Sequence, residues 1–102
     1  MGRPERLTDE AVQSRIRELD GWSVVEGKLH RTFRFPDFRR AWMFMTAMAQ
    51  TAEKLDHHPE WFNVYSTVKI DLTTHDCGGI SDLDFRFAAV ADRTADDLSD
   101  RG

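Results

Sequence analysis

The sequence predicts an α+β fold, a four-stranded antiparallel sheet with helices packed on one face, in the order α-β-β-α-β-β-α. Three observations predict it. Two pairs of short segments alternate apolar and polar residues, and each pair is divided by a tight break. Three segments with apolar residues at helical spacing flank and separate those pairs. A chain of 102 residues also has room for one hydrophobic core and no more, so a single domain is expected.

The first helix opens at Thr8, a fitting N-cap followed by Asp9 and Glu10, where the helix dipole favours acids. Leu7 and Val12 have the spacing of a hydrophobic staple. Val12, Ile16 and Leu19 recur on one face, and Gly21 is placed to end the helix. Residues 22–25 and 29–35 read as two strands around Glu26-Gly27. Leu29, Phe33 and Phe35 share one parity, His30, Thr32 and Arg34 take the other, and Arg31 interrupts the apolar series.

Asp37 is placed to cap a long second helix running to about Leu55. Its predicted apolar stripe is Phe38, Ala41, Trp42, Met45, Ala49, Ala52 and Leu55, with Phe44 on the flank and Met43 and Ala47 on the far side. A helix apolar beyond one stripe is buried twice, most simply by another copy of the chain, so a homo-oligomer is expected. Pro59 stops the helix, because a proline pushes the residue before it, His58, out of the α region. A second strand pair covers residues 61–64 and 67–73, and Cys77-Gly78-Gly79 breaks the chain after it. Ser81 opens a third helix carrying Leu83, Phe87, Ala88, Val90 and Ala91, and residues 93–102, which turn polar, are expected to fray.

Composition excludes several classes of function. Hydrophobic residues make up 40%, charged residues 31% and aromatics 11%, as in an ordinary globular protein rather than a disordered one. A net charge of −4 disfavours binding nucleic acid or an anionic membrane by bulk charge. The single cysteine leaves no intrachain disulfide and no CxxC motif. No apolar run approaches the roughly 20 residues of a membrane span, and the charged opening residues do not form a signal peptide. The expected address is the cytoplasm, and no membrane or direct nucleic-acid partner is expected.

The candidate chemistry lies in histidines. His57 and His58 follow the end of the second helix, and His75 follows the last strand beside the glycine pair. Adjacent side chains on extended backbone point to opposite sides, so His57 and His58 are expected to do different jobs. Zinc is the rival reading, since histidine is a common metal ligand, but adjacent histidines without an HxxxH or CxxC spacing make a poor site. Asp84 stands at the N3 position after Ser81, where it can complete a capping box and still orient a nearby histidine. Cys77 reads as a half-buried small residue. Trp61, Phe62 and Tyr65 read first as strand core, with Trp61 also able to flank a planar ligand.

The run Glu53-Lys54-Leu55-Asp56-His57-His58-Pro59-Glu60-Trp61-Phe62-Asn63-Val64-Tyr65 resembles the signature of the pterin-4a-carbinolamine dehydratases. Thr73-Thr74-His75-Asp76-Cys77-Gly78-Gly79 looks like that family's second active-site loop, and residues 32–48 also look like the family. The resemblance implies a hydro-lyase that removes water from a 4a-hydroxytetrahydropterin, giving a quinonoid dihydropterin, in the recycling that serves aromatic amino-acid hydroxylases. It implies proton transfer by His57 and His75, binding and orientation of the pterin by His58, and orientation of a histidine by Asp84. Asp56, Thr73, Thr74 and Asp76 would contact the ring edge. No cofactor and no metal are implied, and the expected assembly is a homotetramer built as a dimer of dimers. Animal relatives also serve as dimerisation cofactors of a homeodomain transcription factor, and some degenerate relatives lack the histidines. A purely structural role is disfavoured here by His57, His58 and His75, and a zinc-binding protein is a weaker alternative.

Overall fold

A computed structural model describes residues 4–99 and contains three helices and one sheet. Helix α1 (Asp9–Ile16) begins at Thr8, whose hydroxyl accepts from the Ala11 amide at 3.1 Å. It stops at Ile16, short of the expected end at Gly21. Tight bonds from Glu18 N–H to Arg15 O and from Leu19 N–H to Ile16 O, both 3.1 Å, close the last turn. Gly21 serves the turn that follows. Its φ is +88°, and a Cβ there would stand 2.9 Å from Arg31 Nε.

Strands β1 (Ser23–Val25) and β2 (Lys28–Arg34) form a hairpin around Glu26 and Gly27, both left-handed, as a two-residue turn matched to strand twist requires. Strands β3 (Glu60–Val64) and β4 (Thr67–Leu72) form the second hairpin. β2 and β4 join the two, giving the antiparallel order β1-β2-β4-β3. In that register Leu29 faces Leu72 and Phe33 faces Val68, and these residues with Ile70 form one buried sheet face. The other face mixes charged pairs with exposed Val25, Phe62 and Val64, so Phe62, and with it Tyr65 in the turn, is not the strand core that the sequence suggests. Lys28 donates to Glu60 Oε1 at 2.7 Å, and His30 pairs with Asp71 at 2.9 Å.

Helix α2 (Phe38–Leu55) starts at Asp37, which accepts from the Arg40 amide at 2.8 Å. Its core stripe is Ala41, Phe44, Met48 and Ala52, so the expected stripe needs correcting. Phe44 packs 4.9 Å from Phe33 and 5.0 Å from Phe35 between ring centroids. Phe38 and Trp42, placed by periodicity in the core, stand 52% and 60% exposed. A buried phenylalanine is worth about 1.5–3 kcal/mol, and the aromatic neighbours of Phe44, Phe33 on β2 and Phe35 just past its end, decide which stripe turns inward.

Helix α3 (Asp82–Asp97) adds Phe85, Phe87, Ala88 and Ala91 to the core. Fraying after Asp92 is not what the structure shows: the helix runs on to Asp97, because Ala95 and Leu98 return to pack against the core. The end of the expected tail, residues 100–102, lies outside the described residues. Arg31, out of pattern in β2, lies over the Phe33 ring at 4.4 Å and donates to Asp92 at 2.7 Å, and the same carboxylate accepts from Trp22 Nε1 at 2.8 Å. A cation with core parity is tolerated because α3 supplies its counter-charge. Among the described residues, no helix is long and apolar enough to cross a membrane.

Candidate active site

The end of α2 turns sharply into the His-His pair. Asp56 adopts the left-handed conformation (φ 50°, ψ 45°), and its amide bonds back to Ala52 and Glu53 carbonyls. The His57 amide reaches Ala52 O at 2.9 Å, so the chain folds over the helix end before Pro59 is reached. Aspartate tolerates this geometry better than most residues, at a cost of about 1 kcal/mol. The turn carries His57 inward, to 7% exposure, and leaves His58 outside.

His57 Nε2 lies 2.5 Å from Asp84 Oδ1. Asp84 is fully buried in the first turn of α3, and its other oxygen accepts from the Ser81 amide and the Thr74 hydroxyl, each at 2.9 Å. Thr74 Oγ1 and Ser81 Oγ stand 2.6 Å apart. Asp84 therefore completes the capping box with Ser81 and holds a histidine at once. A buried carboxylate is tolerable only with such a full set of partners.

His58 is exposed and pairs with Glu53 Oε2 at 2.6 Å across the helix end. His75 starts a short 3₁₀ turn, His75–Cys77, and is 84% exposed. Its Nε2 comes no nearer than 3.8 Å to Glu60 Oε2, beyond hydrogen-bond range. The turn is closed at its base by a bridge between Thr74 and Gly79. Cys77 Sγ sits 3.6 Å from the carbonyls of Thr74 and Gly79, half-buried inside the turn.

These elements enclose a cleft of about 350 Å³ whose lining includes His57, His58, His75, Asp56, Thr73, Thr74 and Asp76. Asp84 stands behind the wall, with no surface of its own in the cleft. The Thr74 hydroxyl donates back to Asp84. Pro4 and Leu83, which sequence reasoning did not place in the site, line the cleft, and Glu60 faces His75. Ser81, expected as a cap, and Thr74, expected at the ring edge, brace Asp84. The spacing from Ser81 to Asp84 announces that half of the brace, whereas the Thr74 contact forms only in the folded chain. Among the described residues, no group of three or more His, Cys, Asp or Glu side chains is arranged to hold a metal ion. The arrangement offers one buried, carboxylate-held imidazole and two accessible ones around a small cleft. Proton transfer to and from a bound molecule is the chemistry it can perform.

The sequence profile described as pterin 4 alpha carbinolamine dehydratase matches residues 5–94. A protein of Solibacter usitatus named pterin-4-alpha-carbinolamine dehydratase is 53% identical over 88% of this chain and 95% of its own. One of the same name from Rhizobium meliloti is 47% identical over 92% of each chain. The crystal structure of a transcriptional coactivator/pterin dehydratase from Brucella melitensis superposes with a TM-score of 0.86 at 44% identity. That match covers 89% of this chain and 99% of the other.

Proposed function

The chain belongs to the pterin 4 alpha carbinolamine dehydratase family, and from that premise we propose that it dehydrates a 4a-hydroxytetrahydropterin by histidine acid–base catalysis. The observation that carries this reading is the buried His57–Asp84 pair at the wall of a cleft that His58 and His75 also line.

The reaction breaks the C4a–O bond, removes the N5 proton and forms a C4a=N5 double bond, releasing water and a quinonoid dihydropterin. It is redox-neutral and needs only a proton delivered to the hydroxyl and a proton removed from N5. Asp84 accepts from His57 Nε2–H, so neutral His57 carries its proton on Nε2 and leaves Nδ1 as the basic nitrogen. His75, exposed and with only Glu60 Oε2, 3.8 Å away, near its Nε2 among the described residues, exchanges protons with substrate and water. His58, held by Glu53, binds and orients the pterin. Each acid–base step of this kind contributes about 10²–10⁴-fold. Asp84 is a positioning residue, since it acts through His57 and touches no substrate. Asp56, Thr73, Thr74 and Asp76 flank the ring edge, and the Thr74 hydroxyl also braces Asp84.

The same reading includes a cytoplasmic homotetramer that serves an aromatic amino-acid hydroxylase. Phe38, Trp42 and Met43, exposed along α2, support the assembly, since leaving them in water forfeits burial worth roughly 25 cal/mol per Å². The deciding experiment is a coupled assay with chemically generated 4a-carbinolamine, with and without chelator. Turnover indifferent to chelator is expected. Turnover no faster than the uncatalysed dehydration would refute the reading, and stoichiometric zinc with chelator-sensitive turnover would refute its metal-free form.

A further inference from the structure

Residues 4–7 cross the base of the loop that carries His75, and three contacts tie them there. The Leu7 amide donates to the Ile80 carbonyl at 2.8 Å. The stem of Arg6 lies against Gly79 so closely that a Cβ at Gly79 would stand 2.7 Å from Arg6 Nε and 3.0 Å from its Cδ. Pro4 lines the cleft beside His57, His58 and His75.

Gly79 is the residue that closes this loop. Thr74 N–H donates to Gly79 O at 2.8 Å, and Gly79 N–H donates to Thr74 O at 3.3 Å. Its backbone is not left-handed, unlike that of Gly78 at φ +71°, so conformation alone does not call for glycine there. The space that a side chain would fill there is occupied by Arg6. Between Thr74 and Gly79 the chain makes a single short turn, and the His75 imidazole stands largely in solvent. The placing of that imidazole thus depends on how firmly the base of the turn is held.

We infer that residues 4–7 are a positioning strap: they hold the Thr74–Gly79 closure and through it the imidazole of His75, and Pro4 adds to the lining of the cleft. The catalytic consequence rests on the dehydratase reading, whereas the contact itself does not. Arg6 is exposed and Gly79 lies outside the core cluster, so altering either leaves the packing of the sheet and helices in place.

The test uses Arg6→Ala, Gly79→Ala and the double variant in the full chain. Three quantities are read: kcat and KM for a 4a-hydroxytetrahydropterin, thermal unfolding, and amide hydrogen exchange in residues 74–79. Arg6→Ala is expected to lower kcat about tenfold with KM within about twofold, because a slightly misplaced proton-transfer group costs rate more than binding. Exchange at the Thr74 and Gly79 amides should quicken while the unfolding temperature holds. Gly79→Ala should do the same, and the double variant should be no worse than the weaker single, since both break one contact. Unchanged exchange and kcat in both single variants would overturn the strap, and so would additive losses. Quickened exchange in a protein with no dehydratase turnover would support the strap and refute the dehydratase reading.

Discussion

Replacing Asp84 by asparagine separates the structural work of this side chain from its chemical work. Asparagine keeps the volume, and its amide oxygen can still accept from the Ser81 amide and the Thr74 hydroxyl. Its NH₂ group then faces His57 Nε2 and requires an acceptor there. The imidazole proton must move to Nδ1, and the basic nitrogen turns away from the cleft. The stability lost is the difference between a charge-assisted bond and a neutral one, about 1–2 kcal/mol. At about 4–8 °C per kcal/mol for a domain of this size, the unfolding temperature should fall by roughly 5–15 °C. Turnover should fall far more, by about 10²–10⁴-fold, because the general base is lost outright. Asp84→Ala behaves differently, since it orphans His57 N–H and Ser81 N–H in a buried site at about 1–3 kcal/mol each. That is a large share of the roughly 5–15 kcal/mol holding such a domain. The assay pairs steady-state turnover with thermal unfolding and with nitrogen NMR of the His57 tautomer. An Asp84→Asn variant whose tautomer has switched while turnover stays within about threefold of wild type would refute the assignment of His57 as base.

Further outcomes follow from other parts of the molecule. His75→Ala should lose most activity at unchanged unfolding temperature, because His75 is 84% exposed. His57→Ala should lose activity and stability together by unpairing buried Asp84, and equal turnover to wild type in either variant would remove that histidine from proton transfer. Trp42→Asp and Met43→Asp should dissociate the assembly before they unfold the protomer, as both side chains lie outside the core, and light scattering showing wild-type mass for both would move the interface elsewhere. Asp92 titrates above the ordinary 3.8 because burial outweighs its bonds to Trp22 and Arg31. Its folded pKa is the higher one, so its contribution to stability is greatest below the ordinary carboxylate range and is lost as pH rises through the folded value. The tryptophan fluorescence change removed by Asp92→Asn should accordingly have its midpoint above 3.8, and a midpoint at or below that value would refute this direction.

Element order and caps were legible because they are local. Thr8, Asp37 and Ser81 each announce a helix within three or four residues, and Glu26-Gly27 announces a turn by itself. The phase of α2 was not legible, because the helix carries two apolar stripes and periodicity weighs them equally. Only Phe33 on the neighbouring sheet and Phe35 just past its strand show that Phe44 is the buried one. The length of α3 was obscured by its polar last turns, whose inward residues Ala95 and Leu98 are outnumbered by charges. The grouping of His57, His58 and His75 was suggested by their places at element ends. The bond from Thr74 to Asp84 and the approach of Arg6 to Gly79 were not, since neither is visible until distant segments meet.

Functional groups commonly lower stability, because a site needs buried polarity or strain that the fold must carry. Asp84 has the opposite bearing. One carboxylate closes the first turn of α3, satisfies Thr74 and Ser81, and aims the imidazole of His57. Selection for a heat-resistant protein and selection for turnover therefore press on the same atoms in the same direction. A library of variants sorted only for survival at high temperature should keep Asp84, Ser81 and Thr74 without ever being offered substrate. His58 and His75, which stand in solvent and brace nothing in the core, should drift freely in the same library.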